Sequence, residues 1–130
     1  MIEEKAATTF TVLLVEDSVL LAQRIREQLE AIPGVTVLGP VPDEDGAVRM
    51  AFDSKPDALV LDLQLQSGTG FGVVARLGPT RPPVVVLTNY ALPEYRRRAL
   101  ALGIEYFLDK SREYHLLPDV IDALSSARGP

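Results

Sequence analysis

The chain has 130 residues, of which 47% are hydrophobic and 24% are charged, and its formal net charge is −5. This length is typical of one ordinary domain, and the hydrophobic content is sufficient for a real core. Because cysteine is absent and histidine occurs once, disulfides, thiolate zinc sites, cysteine nucleophiles and multi-histidine metal clusters are excluded. The negative charge argues against direct binding of nucleic acid or of an anionic membrane.

The sequence also shows no sign of membrane insertion or export. No apolar run approaches the roughly 20 residues that span a bilayer. The first ten residues, MIEEKAATTF, are acidic where a signal peptide would be basic and then apolar. We therefore expect a soluble, cytoplasmic protein with flexible termini at residues 1–9 and 128–130.

Five short apolar runs, several of them rich in β-branched residues, are predicted to be strands covered on both faces. They are Thr11–Val15, Val35–Leu38, Ala58–Leu61, Val84–Leu87 and Tyr106–Leu108.

Helical patterns separate the strands. The first carries an apolar stripe and stops at Pro33-Gly34, and the last is predicted to begin at Pro118, because proline suits the first helical position. The stretches between them are Pro42–Phe52, Phe71–Leu77 and Leu92–Leu102. This alternation predicts an α/β fold with a doubly wound, mostly parallel five-stranded sheet and helices on both faces.

Polar side chains stand where these strands end. The first strand is followed by Glu16 and Asp17, the third by Asp62, and Thr88 and Lys110 follow the fourth and fifth. Parallel strands bring their carboxyl ends to one edge, where ligands bind. Three carboxylates about 5 Å apart repel one another by roughly 3 kcal/mol per pair at an effective dielectric constant of 20, so cations must offset them.

This set of side chains favours one kind of chemistry. Lys110 supplies one positive charge, and oxygen ligands without histidine or cysteine favour Mg²⁺ as the source of more. A carboxylate can attack phosphorus and form an aspartyl phosphate, while Mg²⁺ and lysine neutralise the transferred group. The threonine hydroxyl can donate to the new phosphoryl oxygens. The strand ends therefore predict a phosphoryl acceptor.

Four segments resemble the receiver domains of bacterial two-component response regulators, and the likeness extends from Phe10 to Ala127. The segments are LLVEDS (Leu13–Ser18), LVLDLQLQSGTG (Leu59–Gly70), VVVLTNYA (Val84–Ala91) and GIEYFLDKS (Gly103–Ser111). The resemblance implies a receiver domain at residues 10–127 with a flavodoxin-like fold and strand order 2-1-3-4-5.

The resemblance also implies a role for each site residue. Asp62 would be the phosphoacceptor, and Thr88 and Phe107 would form the switch, with Lys110 contacting the phosphoryl group. Mg²⁺ would be held by Glu16, Asp17, Asp62 and the backbone carbonyl of Gln64. The implied partners are a histidine kinase or phosphotransfer protein and a downstream protein that binds the face from the fourth to the fifth helix. Such a domain is a phosphoryl acceptor with at most slow self-dephosphorylation, not a turnover enzyme.

Two other functions remain open on the sequence. The first is an interaction module that keeps the fold but signals without phosphate. Ser111 and Asn89 leave this possibility open, because each departs from the usual receiver pattern. The second is a flavodoxin-like electron carrier, which shares the architecture. Glu16 and Asp17 argue against the carrier, because they would repel a flavin phosphate at the loop after the first strand.

Overall fold

The computed structural model describes residues 9–128, with the side chain of Arg128 left out, and its centre is one five-stranded parallel sheet. The strands are β1 (Phe10–Val15), β2 (Val35–Val41), β3 (Ala58–Leu61), β4 (Val84–Thr88) and β5 (Tyr106–Asp109). Their order is β2-β1-β3-β4-β5, which confirms the expected topology. The predicted β2 was too short by three residues, because the pairing with β1 continues past an irregularity to Val41.

The helices lie between the strands as expected. They are α1 (Val19–Glu30), α2 (Glu44–Ser54), α3 (Gly70–Leu77), α4 (Pro93–Ala101) and α5 (Leu117–Arg128). The start predicted for α2 was two residues early, because the Asp43 side chain accepts from the Gly46 N–H and caps the helix. The start predicted for α5 was one residue late, because a 3₁₀ turn (Tyr114–Leu116) leads directly into Leu117.

Both faces of the sheet are buried, which explains the apolar, β-branched strands. One face of the sheet packs against α1 and α5, through residues such as Ile25, Leu29 and Ile121. The other face packs against α2, α3 and α4, through residues such as Phe71 and Ala99. The prediction of a doubly wound sheet with helices on both faces is therefore confirmed.

The free side of the edge strand β2 is covered by side chains of α1. The Val37 N–H donates to Glu30 Oε2 (2.9 Å), and the Val37 carbonyl accepts from Arg26 (2.7 Å). Arg26 also donates to the Gly39 carbonyl. Unpaired backbone groups on an edge strand invite pairing with another chain. The Arg26–Glu30 pair therefore protects this edge.

Residues 1–8 and 129–130 lie outside the described residues, and with them almost all of the termini expected to be flexible, although Arg128 ends α5. Among residues 9–128, no helix is long and apolar enough to cross a membrane.

Candidate functional site

The first part of the site lies directly after β1. Glu16 is only 4% exposed, and its N–H continues the sheet pairing by donating to the Val41 carbonyl (3.0 Å). Its carboxylate oxygen Oε2 accepts from the Ser18 N–H (3.0 Å), while the Ser18 hydroxyl accepts from the Leu21 N–H and caps α1. Asp17 is exposed. The β1–α1 turn therefore fixes a buried carboxylate beside an accessible one.

The second part follows β3. The Asp62 N–H donates to the Val15 carbonyl (3.1 Å), so Asp62 lies beside the end of β1. Its side chain is largely buried, at 8% exposure, and its Oδ1 accepts from the Gln64 N–H (3.4 Å). A Cβ on Gly70 would lie 2.3 Å from the Asp62 carbonyl oxygen, so only glycine allows α3 to begin this close to the strand end.

The structure brings the charged residues of the sequence analysis together. Glu16, Asp17 and Asp62 each offer a carboxylate oxygen, and these oxygens lie within 4.8 Å of one another. Lys110 Nζ donates to Glu16 Oε1 (3.1 Å) and to Asp62 Oδ2 (2.9 Å). Lys110 is itself mostly buried. One ammonium thus joins two buried carboxylates, and a third lies at the rim.

The electrostatics of the pocket reflect this crowding. Burial raises the pKa of Glu16 above its ordinary value, although the Ser18 N–H and Lys110 both act in the opposite direction. For Lys110, burial is the largest influence and lowers the pKa, but hydrogen bonds and charge from Asp62 and Glu16 outweigh it, so the pKa is raised. Lys110 is therefore a cation at neutral pH.

Thr88 ends β4 and is fully buried. Its carbonyl accepts from the Lys110 N–H (2.8 Å), which ties it to the strand end that carries the lysine. Its hydroxyl oxygen accepts from the Tyr90 N–H (3.1 Å). Because this bond uses only a lone pair, the hydroxyl proton remains available to donate.

Phe107 lies on β5 opposite Val86, two residues before the end of β4. Its half-buried ring is covered by the Arg96 guanidinium, whose carbon is 4.8 Å from the ring centre. Arg96 also approaches Glu113 at 3.6 Å. No local sequence pattern marks this contact, because Arg96 stands in a run of three arginines on α4.

Ser111 follows the lysine, where the receiver pattern usually has proline. Its N–H and its hydroxyl both donate to Asp109 Oδ1, at 2.9 and 2.8 Å. These bonds lower the pKa of Asp109, the hydroxyl bond being the larger influence. The turn after Lys110 is therefore held in place by hydrogen bonds.

The comparisons with known proteins agree on one family. The family model described as "Response regulator receiver domain" matches residues 12–122. The chain is 34% identical over 104 residues to a protein-glutamate methylesterase/protein-glutamine glutaminase of Dechloromonas aromatica, covering 78% of this chain and 30% of the relative. A protein of the same name from Symbiobacterium thermophilum is 32% identical over 102 residues, covering 76% of this chain and 28% of the relative. The chain thus spans less than a third of the length of these relatives.

A solved structure supports the same fold. The response regulator domain of Thermotoga maritima CheB superposes with a TM-score of 0.80 at 20% sequence identity, covering 92% of this chain and 95% of that one. At this identity the likeness concerns the fold alone. The family match over residues 12–122 carries the assignment. The chain belongs to the response regulator receiver domain family of two-component signalling.

Proposed function

We propose that this chain is a phosphorylation-activated receiver that accepts a phosphoryl group onto Asp62 from a phosphohistidine on a histidine kinase or phosphotransfer protein. The observation that supports it best is the Lys110 ammonium bound to both Glu16 and Asp62, with Asp17 at the rim of the same pocket. Such a concentration of buried charge costs stability and is characteristic of functional sites.

The donor set suits Mg²⁺. The pocket offers three carboxylate oxygens, all hard ligands, and the chain has no cysteine. Glu16, Asp17 and Asp62 would hold the ion together with the backbone carbonyl of Gln64. When bound, Mg²⁺ supplies positive charge to the phosphoryl oxygens.

The positions of the side chains support a role for each in the proposed reaction. A carboxylate oxygen of Asp62 attacks phosphorus, the bond between phosphorus and the donor imidazole nitrogen breaks, and the imidazole leaves with the electron pair. Lys110 remains beside Asp62 and neutralises the transferred group. The Thr88 hydroxyl, whose proton is available, donates to a phosphoryl oxygen.

The phosphoryl group would then change a protein-binding face. A movement of Thr88 towards the phosphoryl group allows Phe107 to turn inward, which requires the ring to leave the Arg96 guanidinium. The surface from α4 to α5 changes as a result, and a downstream protein binds it.

The proposed domain comprises residues 10–127 and works in the cytoplasm. It is a phosphoryl acceptor, and hydrolysis of the acyl phosphate is the only reaction that it turns over.

Uptake of phosphate from a small donor tests the proposal. Incubation with phosphoramidate and Mg²⁺ should raise the intact mass by one phosphoryl group, and a chelator should prevent the gain because the carboxylates would then be unscreened. In Asp17→Asn, which removes one ligand from the accessible rim, half-maximal uptake should need a Mg²⁺ concentration about tenfold higher or more.

An interaction module that signals without phosphate would take up no phosphate in this experiment. If the folded chain with Mg²⁺ takes up no phosphate, the proposed function is wrong and the alternative is favoured. An equal uptake with and without chelator would contradict the assignment of Mg²⁺.

A further inference from the structure

The loop after Asp62 is joined to the start of α2. We call residues 63–69, between β3 and α3, the acceptor loop. The Gln66 N–H donates to the Pro42 carbonyl (3.0 Å), and the Glu44 N–H donates to the Ser67 carbonyl (2.9 Å). The acceptor loop is therefore attached to a segment more than 20 residues away in sequence, although neither contact reaches the ion-binding carboxylates directly.

The Glu44 side chain adds a third and stronger attachment. Its Oε1 accepts from the Thr69 N–H (2.9 Å), and its Oε2 forms a salt bridge with Arg76 (3.0 Å). These contacts, the Thr69 N–H first, hold the pKa of Glu44 below its ordinary value. A charged carboxylate is thus bound to the N-terminal end of α3, where the helix favours negative charge.

Two glycines leave the space that Glu44 fills. A Cβ on Gly68 would lie 2.4 Å from Glu44 Cβ, and a Cβ on Gly72 would lie 2.2 Å from Glu44 Oε1. Gly68 also has a φ of +83°, which other residues rarely adopt. Glu44 can therefore lie this close to the acceptor loop and α3 because residues 68 and 72 carry no side chain. A larger residue at either position would displace the Glu44 side chain.

The contact at Thr69 leads back to Asp62. Thr69 and Gln64 form an isolated antiparallel β-bridge, and the Gly70 N–H donates to the Leu63 carbonyl (3.0 Å). The loop therefore folds back on itself. The Gln64 N–H in turn donates to Asp62 Oδ1. Glu44 is thus connected to the acceptor carboxylate through Thr69 and Gln64.

We propose that Glu44 is a positioning residue for phosphoryl acceptance: by binding the Thr69 N–H it holds the acceptor loop so that Gln64 and the Asp62 carboxylate face the ion pocket. This inference deepens the proposed function and depends on it for the reaction. The geometric part, that Glu44 orders residues 63–69, is independent of phosphate.

The test compares Glu44→Ala with Glu44→Gln. The alanine variant loses both contacts, whereas glutamine keeps an oxygen for the Thr69 N–H and loses the salt bridge with Arg76. Asp45→Ala is the matched control, because Asp45 also pairs with Arg76 (2.6 Å) but has no bond to the loop. We measure amide hydrogen exchange of a peptide covering residues 62–70, the Mg²⁺ dissociation constant and the rate of phosphate uptake from phosphoramidate.

In Glu44→Ala the loop amides should exchange faster, and Mg²⁺ affinity and uptake rate should each fall about tenfold, which is typical of losing a residue that orients a ligand. Glu44→Gln should restore most of all three quantities, and Asp45→Ala should match the parent. A merely structural role would lower the unfolding temperature and leave Mg²⁺ affinity unchanged.

Parent-like loop exchange in Glu44→Ala would overturn the inference, and so would a glutamine variant as impaired as the alanine variant. If the parent takes up no phosphate, the proposed function is wrong, yet the exchange comparison still decides whether Glu44 orders the loop. The two failures are therefore distinguishable.

Discussion

Asp62→Asn should be unable to take up phosphate from phosphoramidate and Mg²⁺. The amide replaces the only oxygen nucleophile in the proposed reaction, so the rate should fall on the order of 10⁴-fold or more, as when an enzyme loses its nucleophile. Asparagine has nearly the same volume and keeps an oxygen for the bond from Lys110 Nζ, so the variant should still fold. Intact mass spectrometry over time measures the effect, and circular dichroism checks the fold.

The matched control is Asp53→Asn. Asp53 is exposed on α2, so this variant removes the same charge away from the pocket and should take up phosphate at the parental rate. Parental uptake by a folded Asp62→Asn would place the acceptor elsewhere and contradict the proposed function.

Lys110→Met should separate phosphate uptake from ion binding. Methionine keeps much of the apolar chain and removes the ammonium that faces Asp62, so the uptake rate should fall by about 10² to 10³, as when one charge-stabilising donor is lost from a catalytic site. Mg²⁺ affinity at neutral pH should not fall, because the lysine no longer occupies oxygens of Glu16 and Asp62.

The same variant should show a changed pH dependence. Lys110 lowers the pKa of Glu16, so its removal raises that pKa further above the ordinary value. A carboxylate with a higher pKa is protonated at a higher pH, and a protonated carboxyl does not bind the ion. As pH falls, Mg²⁺ affinity should therefore decline earlier in Lys110→Met than in the parent.

Calorimetric titration over a pH series measures these changes. Lys55→Met is the control, since it removes the same charge at an exposed position after α2. Uptake in Lys110→Met equal to that of the control would contradict the role of Lys110.

Much of the fold could be predicted because its signals are local. The run Ala58–Leu61 was predicted with the bounds that the structure shows, since a short, wholly apolar run between polar residues is typical of a buried parallel strand. That the side chains of the candidate site lie close together could be predicted for a related reason. A parallel sheet brings the carboxyl ends of its strands together, so Asp62 and Lys110 meet although 48 residues separate them.

Other features depend on contacts that no sequence pattern reveals. Glu44 looked like an ordinary acidic residue at a helix start, and its bond to Thr69 requires the approach of two loops. The position of Arg96 over Phe107 depends on how α4 lies against β5. The end of β2 was missed because Gly39 and Pro40 look like a turn, whereas the pairing with β1 carries the strand through them.

Chemical mapping of the phosphorylated residue decides whether the pocket is an acceptor site. The chain is incubated with phosphoramidate and Mg²⁺ and then treated with borohydride, which reduces an acyl phosphate to an alcohol and leaves ordinary carboxylates intact. Peptide mass spectrometry should find homoserine at position 62, and only when Mg²⁺ was present. Homoserine found instead at position 17, or a phosphoryl group found on His115 or on any hydroxyl, with position 62 unchanged, would contradict the proposed acceptor site.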